Sequence, residues 1–139
     1  MNSNAATFLL PVAFLAMPCA VKAAPGLTFE KDVRPILKEH CFHCHGEDGE
    51  TKSGLDVRLA RFLLKGGKEG PAITPGKPEA SHLVELIKKA EMPKGKAKLK
   101  DQDIATIEQW IAQGGKTARP EPEKLSALIA QDPRGFDLA

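Results

Sequence analysis

The pentapeptide Cys41-Phe42-His43-Cys44-His45 constrains this chain more than any other stretch. Two thiols three positions apart, with an imidazole directly after the second, form the C-x-x-C-H pattern of c-type haem attachment. Each thiol can form a thioether to one vinyl group of the same porphyrin, and His45 is then held under the ring as an iron ligand. A chain that carries a covalent macrocycle has to pack around it. The composition suits that reading. With 139 residues, of which 5% are aromatic, the chain makes one small domain with few bulky side chains for a core. A buried macrocycle would supply much of the missing apolar contact. The formal charge of +2 argues against general nucleic-acid binding.

Three other chemistries use paired cysteines. A structural zinc site needs four ligands, usually from two separated pairs. No second cysteine pair exists, and His40 to His45 are too crowded to wrap a tetrahedral ion. A thioredoxin-like dithiol would need a βαβ pattern, which is absent. A plain disulfide would leave His45 unexplained.

Residues 1–23 read as a secretory signal. Ala5 to Met17 is an uncharged, mostly apolar run, too short for a membrane span. Val21-Lys22-Ala23 places small residues where a signal peptidase reads, so cleavage is expected after Ala23 or one residue later. The usual basic start is missing, because Met1 to Ala6 carry no Lys or Arg. Cys19 raises a lipoprotein alternative, but Pro18 stands where lipid attachment normally needs a small residue. Removing residues 1–23 leaves Cys41 and Cys44 as the only cysteines and Met92 as the only methionine. Export and haem attachment support each other, because c-type haem is attached outside the cytoplasm.

The rest of the chain predicts helices joined by Pro/Gly-rich loops. Thr28 is placed to cap a helix with Glu30 and Asp32 in its first turn. Val33, Ile36 and Leu37 form its apolar stripe, and Pro35 must kink or restart it. Leu55 and Val57 alternate with polar residues, as in a short extended segment. Residues 59–65 read as a helix ended by Gly66-Gly67. The stretch 70–76 is a stiff loop. Pro78 suits the first position of a new helix with Leu83, Leu86, Ile87 and Ala90 on its buried face, stopped by Pro93. Asp101 or Asp103 caps the last strong helix, whose apolar face is Ile104, Ile107, Trp110 and Ile111 and whose end is Gly114-Gly115. Residues 117–139 form a linker and a short tail, with a brief helix at Leu125, Leu128 and Ile129.

Met92 is the candidate sixth iron ligand, since it leaves a helix, precedes a proline and lies far along the chain from His45. The alternative is a methionine filling a core gap. His82 is the rival ligand and is expected to be solvated, as are His40 and His43. The Pro71 carbonyl is a candidate acceptor for the Nδ1 proton of His45, or else part of a loop that only covers the haem edge. Arg58 and Arg61 are candidates to neutralise haem propionates. Lys88, Lys89, Lys94, Lys96, Lys98 and Lys100 surround Met92 with one acid, Glu91. Such a region, 88–100, would steer an acidic protein redox partner. The simpler reading is a solvated lysine loop.

The ordered set Phe29-x-x-Asp32-Val33-Arg34-Pro35-Ile36-Leu37, Cys41-x-x-Cys44-His45-Gly46, Ser53-Gly54-Leu55, Lys65-Gly66-Gly67, Gly70-Pro71-Ala72-Ile73, Met92-Pro93 and Trp110-Ile111 resembles the planctomycete-type cytochrome c domain. The resemblance spans about residues 27–116. It implies an all-α, mostly helical cytochrome c-like fold around one covalent haem c. It implies Cys41 and Cys44 as thioether positions, His45 as proximal ligand and Met92 as distal ligand. After the last helix this chain has Gly114-Gly115-Lys116 where the family commonly has Gly-Ala and then Trp-Pro, so the tail lies outside the resemblance.

The leading expectation is therefore an exported cytochrome c that carries single electrons and is no enzyme, with no stable membrane span in the mature chain. The alternatives are an open-site haem sensor or accessory module of a redox enzyme, in which Met92 does not ligate, and a haem-free interaction module. The first and last helices are expected to pack together near the haem.

Overall fold

A computed structural model describes residues 26–47 and 51–126. The expected signal segment, 1–23, and Leu128 and Ile129 of the expected terminal helix lie outside the described residues. The fold is all-α: regular structure is helical, and strand-like pairing among the described residues is limited to the single bridges His45–Thr51 and Gly67–Gly70. The α-helices among the described residues are α1 (Arg34–His40), α2 (Ala60–Lys65), α3 (His82–Lys88) and α4 (Asp101–Ala112).

The chain enters through a π-helical turn, Phe29–Val33, whose last link is the Arg34 amide donating to the Phe29 carbonyl. Thr28 sits at the cap position, and the cap works through Asp32: its carboxylate accepts from the Thr28 amide at 2.7 Å. Pro35 then falls in the first turn of α1, where its missing N–H costs little. The restart expected of Pro35 is what the chain does.

Phe29, Val33 and Leu37 on this side meet Ile107, Trp110 and Ile111 of α4, and all six are fully buried. Their spacings, i, i+4, i+8 and i, i+3, i+4, put each set on one helical face. The Phe29 and Trp110 rings stand 5.7 Å apart at 44°, a tilted contact worth about 0.5–1.5 kcal/mol beyond its area. One carbonyl closes the seam. The Lys116 oxygen accepts from the Phe29 amide at 2.9 Å and from Trp110 Nε1–H at 2.8 Å. The Leu27 amide donates to the Gln113 side chain at 2.8 Å. The two ends of the domain are thus tied, as expected.

Several local expectations need correction. The cap of α4 comes earlier than either expected residue: Lys100 is the cap residue, and Asp101 and Asp103 sit in the first turn, where they favour the helix dipole without capping it. Pro78 opens a 3-10 turn, Pro78–Ala80, and not α3 itself. Ser81 is extended and separates the two. Its buried hydroxyl accepts from the Thr74 amide and donates to the Lys77 carbonyl, both at 2.9 Å. Ala90 is exposed and leaves the helix at φ +55. Its amide donates to the Ile87 carbonyl and that of Glu91 to the Leu86 carbonyl, a Schellman cap with alanine where glycine is usual. Val84 takes the buried position in its stead. α4 ends in the same cap with Gly114 at φ +98.

The described part of the tail packs back on the domain. The Glu121 carboxylate accepts from the Ala60 and Arg61 amides at 2.6 and 3.0 Å, and so caps α2. Arg61 in turn donates to the Pro122 and Glu123 carbonyls. The Ala118 amide donates to Glu30 at 2.7 Å. No described helix is long and apolar enough to cross a membrane.

Candidate haem-binding site

Residues 41–44 continue α1 as one further turn. The amides of Cys41 and Phe42 donate to the Leu37 carbonyl, and that of His45 donates to the Cys41 carbonyl at 3.0 Å. Because the turn is helical, Cys41, Cys44 and His45 stand at i, i+3 and i+4 and share a face. Phe42 falls on the other side. It is 2% exposed, belongs to the core, and lies under the buried Arg34 guanidinium, whose Cζ is 5.9 Å from the ring centroid. This buried ring anchors the motif. Sequence reasoning passed over Phe42 because the pattern treats its position as arbitrary; an aromatic between two thiols was the available signal.

The shared face lines a cavity of about 370 Å³, within the range of about 300–1,000 Å³ usual for small-molecule and cofactor sites. Cys41, Cys44 and His45 lie on one wall. Leu83, Leu86 and Ile87 of α3, with Met92 beyond the helix end, supply another. Met92 is half-buried and packs against the core cluster, and its peptide bond to Pro93 is cis. Leu55, Val57 and Ala72 add apolar surface. The donor set fits haem. Two free thiols, an imidazole and a thioether open onto one mainly apolar cavity.

The imidazole is oriented from within the chain. His45 Nδ1 lies 3.1 Å from the Leu55 carbonyl. A carbonyl can only accept, so Nδ1 carries the proton and Nε2 keeps its lone pair for a metal. The expected acceptor, Pro71, is exposed and does not line the cavity. Leu55 takes the role because the chain doubles back at once. The His45–Thr51 bridge and the Val57 amide, donating to the His45 carbonyl at 2.9 Å, bring residues 51–57 beside the motif. A backbone carbonyl carries no side-chain signature, so this partner could not be read from sequence.

The glycines of the resemblance hold the floor of the cavity together. Lys68 N–H donates to the Ser53 carbonyl at 2.8 Å, and Gly67 and Gly70 exchange hydrogen bonds at 3.1 Å. Gly66 sits at φ +72, and a Cβ there would lie 1.7 Å from the Gly70 oxygen. Only glycine fits that approach. The Ser53-Gly54-Leu55, Lys65-Gly66-Gly67 and Gly70-Pro71-Ala72-Ile73 motifs are therefore one packed unit.

Burial pushes the Cys41 thiol up to about 11; Lys96 pulls against this and Cys44 adds to it. In the haem-free chain this sulfur stays a neutral thiol at pH 7 and is a poor participant in disulfide exchange. Arg58 and Arg61 are both engaged away from the cavity. Arg58 makes a two-pronged contact with Asp56 at 2.7 and 3.0 Å, and Arg61 holds the tail. The cations at the cavity are Lys52, Lys68, Lys94 and Lys96. Lys88 and Lys89 are tied to Glu108 and Glu85. His43 and His82 are exposed as expected, while His40 is half-buried; His40 and His82 both line the cavity. The seam between the first and last helices stands apart from this site, since no residue of α4 lines it.

Residues 41–95 match the family model for planctomycete cytochrome C. The match bears out the resemblance drawn from the sequence. It begins on the first motif cysteine and ends just past Met92, so Cys41, Cys44, His45 and Met92 all fall within it. A domain of this kind binds haem c covalently and transfers electrons. No curated protein and no solved structure matches the chain.

Proposed function

We propose that the protein is an exported cytochrome c carrying single electrons on one haem, with His45 and Met92 as its axial ligands. The observation that carries this reading is the convergence of Cys41, Cys44, His45 and Met92 on one mainly apolar cavity. Haem iron supplies the one-electron chemistry. The chain supplies the rest. Cys41 and Cys44 fix the ring by thioethers. The Leu55 carbonyl holds the His45 ring with Nε2 as the donor. Met92 sulfur favours the ferrous state, and the α3 side chains keep water from the ring, which raises the reduction potential.

Lys94 and Lys96 at the cavity, with Lys98 and Lys100 beyond, are all exposed. In this reading they steer an acidic protein partner to the haem edge, with an on-rate that falls as salt rises. Export rests on residues 1–23, because covalent haem attachment of this type takes place outside the cytoplasm.

The deciding experiment is the optical spectrum of the protein made with c-haem maturation, oxidised and reduced, beside Met92→Ala. A covalent c-type spectrum with a weak far-red sulfur–iron band that Met92→Ala abolishes is the expected result. Covalent haem without that band, binding carbon monoxide readily in the wild-type protein, replaces the carrier by an open-site sensor or accessory module. Absence of covalent haem overturns both.

A further inference from the structure

Met92 shares the cavity with a second donor. His82, the first residue of α3, lines the same cavity. Its backbone is held from both sides. Ser81 is 1% exposed and tied to Thr74 and Lys77 through its hydroxyl. The Leu83 amide donates to the Ala72 carbonyl at 2.9 Å, and Ala72 itself lines the cavity. The His82 side chain is 44% exposed, with Nδ1 3.5 Å from Glu85 Oε2. A carboxylate facing Nδ1 is the arrangement that orients metal-bound imidazoles and leaves Nε2 as the donor. Met92 instead lies past the end of α3, and its thioether can be lost to oxidation as the sulfoxide.

We propose that His82 is a reserve iron ligand, which takes the distal position when the Met92 sulfur leaves it. This rests on the haem reading above. The step is a ligand substitution. An iron–sulfur bond breaks, an iron–nitrogen bond to His82 Nε2 forms, and no electron is exchanged. The outcome is a bis-imidazole centre of lower reduction potential, closed to gases. Lys94 and Lys96 also line the cavity, and an amine ligand in place of His82 would show its own spectroscopic signature. His40 lines it too, but it ends α1 and directly precedes Cys41, one of the attachment residues.

The test uses haem-loaded Met92→Ala in imidazole-free buffer at neutral pH. Expected are a low-spin ferric spectrum, a bis-imidazole signature in near-infrared magnetic circular dichroism, and slow carbon monoxide binding. Met92→Ala/His82→Ala turns high-spin and binds carbon monoxide readily, whereas Met92→Ala/His40→Ala keeps the bis-imidazole signal. A high-spin Met92→Ala protein, an amine signature in place of bis-imidazole, or loss of the signal with His40→Ala overturns the proposal. If the double His82 variant retains no haem, the Met92→Ala signature and the His40 control decide. These outcomes leave the carrier reading standing so long as the wild-type protein shows its sulfur–iron band. Absence of that band sinks the reading itself.

Discussion

The two sides of this domain solve the same packing problem in opposite ways. Where the entry turn meets α4, Phe29, Val33 and Leu37 close on Ile107, Trp110 and Ile111, and both the indole and the incoming backbone find their partner in the Lys116 carbonyl. That side is complete without help. Across the molecule the motif turn and α3 both line a cavity of about 370 Å³, to which the core residues Val57, Ala72, Leu83 and Ile87 present apolar surface. A mainly apolar cavity of that size is the usual form of a small-molecule or cofactor site. The contrast separates two roles: the closed side holds the fold, and in the proposed reading the cavity side takes the cofactor.

The strongest way to break this comparison is to deny the open side its haem. Cys41→Ala/Cys44→Ala is expected to retain no covalent haem through acid–acetone extraction. Hydrogen exchange of that variant should lose protection across residues 51–57 and 82–92 while the closed seam, 29–37 and 104–112, keeps most of it. Equal loss on both sides would show that the seam depends on the cofactor as well.

On the closed side Trp110→Ala removes the largest buried ring. It should cost about 3–5 kcal/mol in urea denaturation of the haem-loaded protein. Trp110→Phe, which keeps most of the packing but loses the bond to Lys116, should cost about 1 kcal/mol more than its lost volume alone. A negligible effect of Trp110→Ala would mean that the haem, not the seam, carries the stability.

A third test lies in the cavity floor. Gly66→Ala forces a Cβ onto the Gly70 oxygen at a positive φ. Gly66 pairs φ +72 with ψ −164, a region essentially reserved for glycine, so the conformational penalty alone is about 1–3 kcal/mol, and the displaced Gly70 wall should also shift the haem absorption bands. A thermal scan matching the wild-type protein would show that this wall yields freely.

The smallest effect sharpens the comparison at its helix ends. α3 and α4 finish in the same hydrogen-bonded cap, but α4 uses Gly114 at the left-handed position and α3 uses Ala90 at φ +55. Ala90→Gly should raise stability by up to about 1 kcal/mol, and Gly114→Ala should lower it by a similar amount. If Ala90→Gly instead weakens the sulfur–iron band, the stiffness of alanine there serves to place Met92.

Much of this was legible in the residues themselves. Covalent chemistry dictates the C-x-x-C-H spacing, so the motif declared its cofactor before any fold was known. Helical periodicity marked Leu37, Ile107, Trp110 and Ile111 as core, and Pro35 and Gly114 marked where helices begin and end. These are local signals, set by backbone sterics and by the 3.6-residue repeat, and neighbours in sequence are enough to state them.

Other features depend on which distant backbone arrives where. The acceptor for His45 is the Leu55 carbonyl and not that of Pro71, because the His45–Thr51 bridge folds the chain back early. Arg58 and Arg61 looked like partners for an anionic cofactor, yet Asp56 and the tail carbonyls claimed them. Glu121 caps a helix 61 residues away in sequence. The amides and carbonyls that decide these contacts are identical at every residue, so their pairing carries no sequence signature. The sequence by itself determined the covalent attachment motif, the helices and the closed core. Only the tertiary structure decided what orients His45, and which side chains share the cavity with Met92.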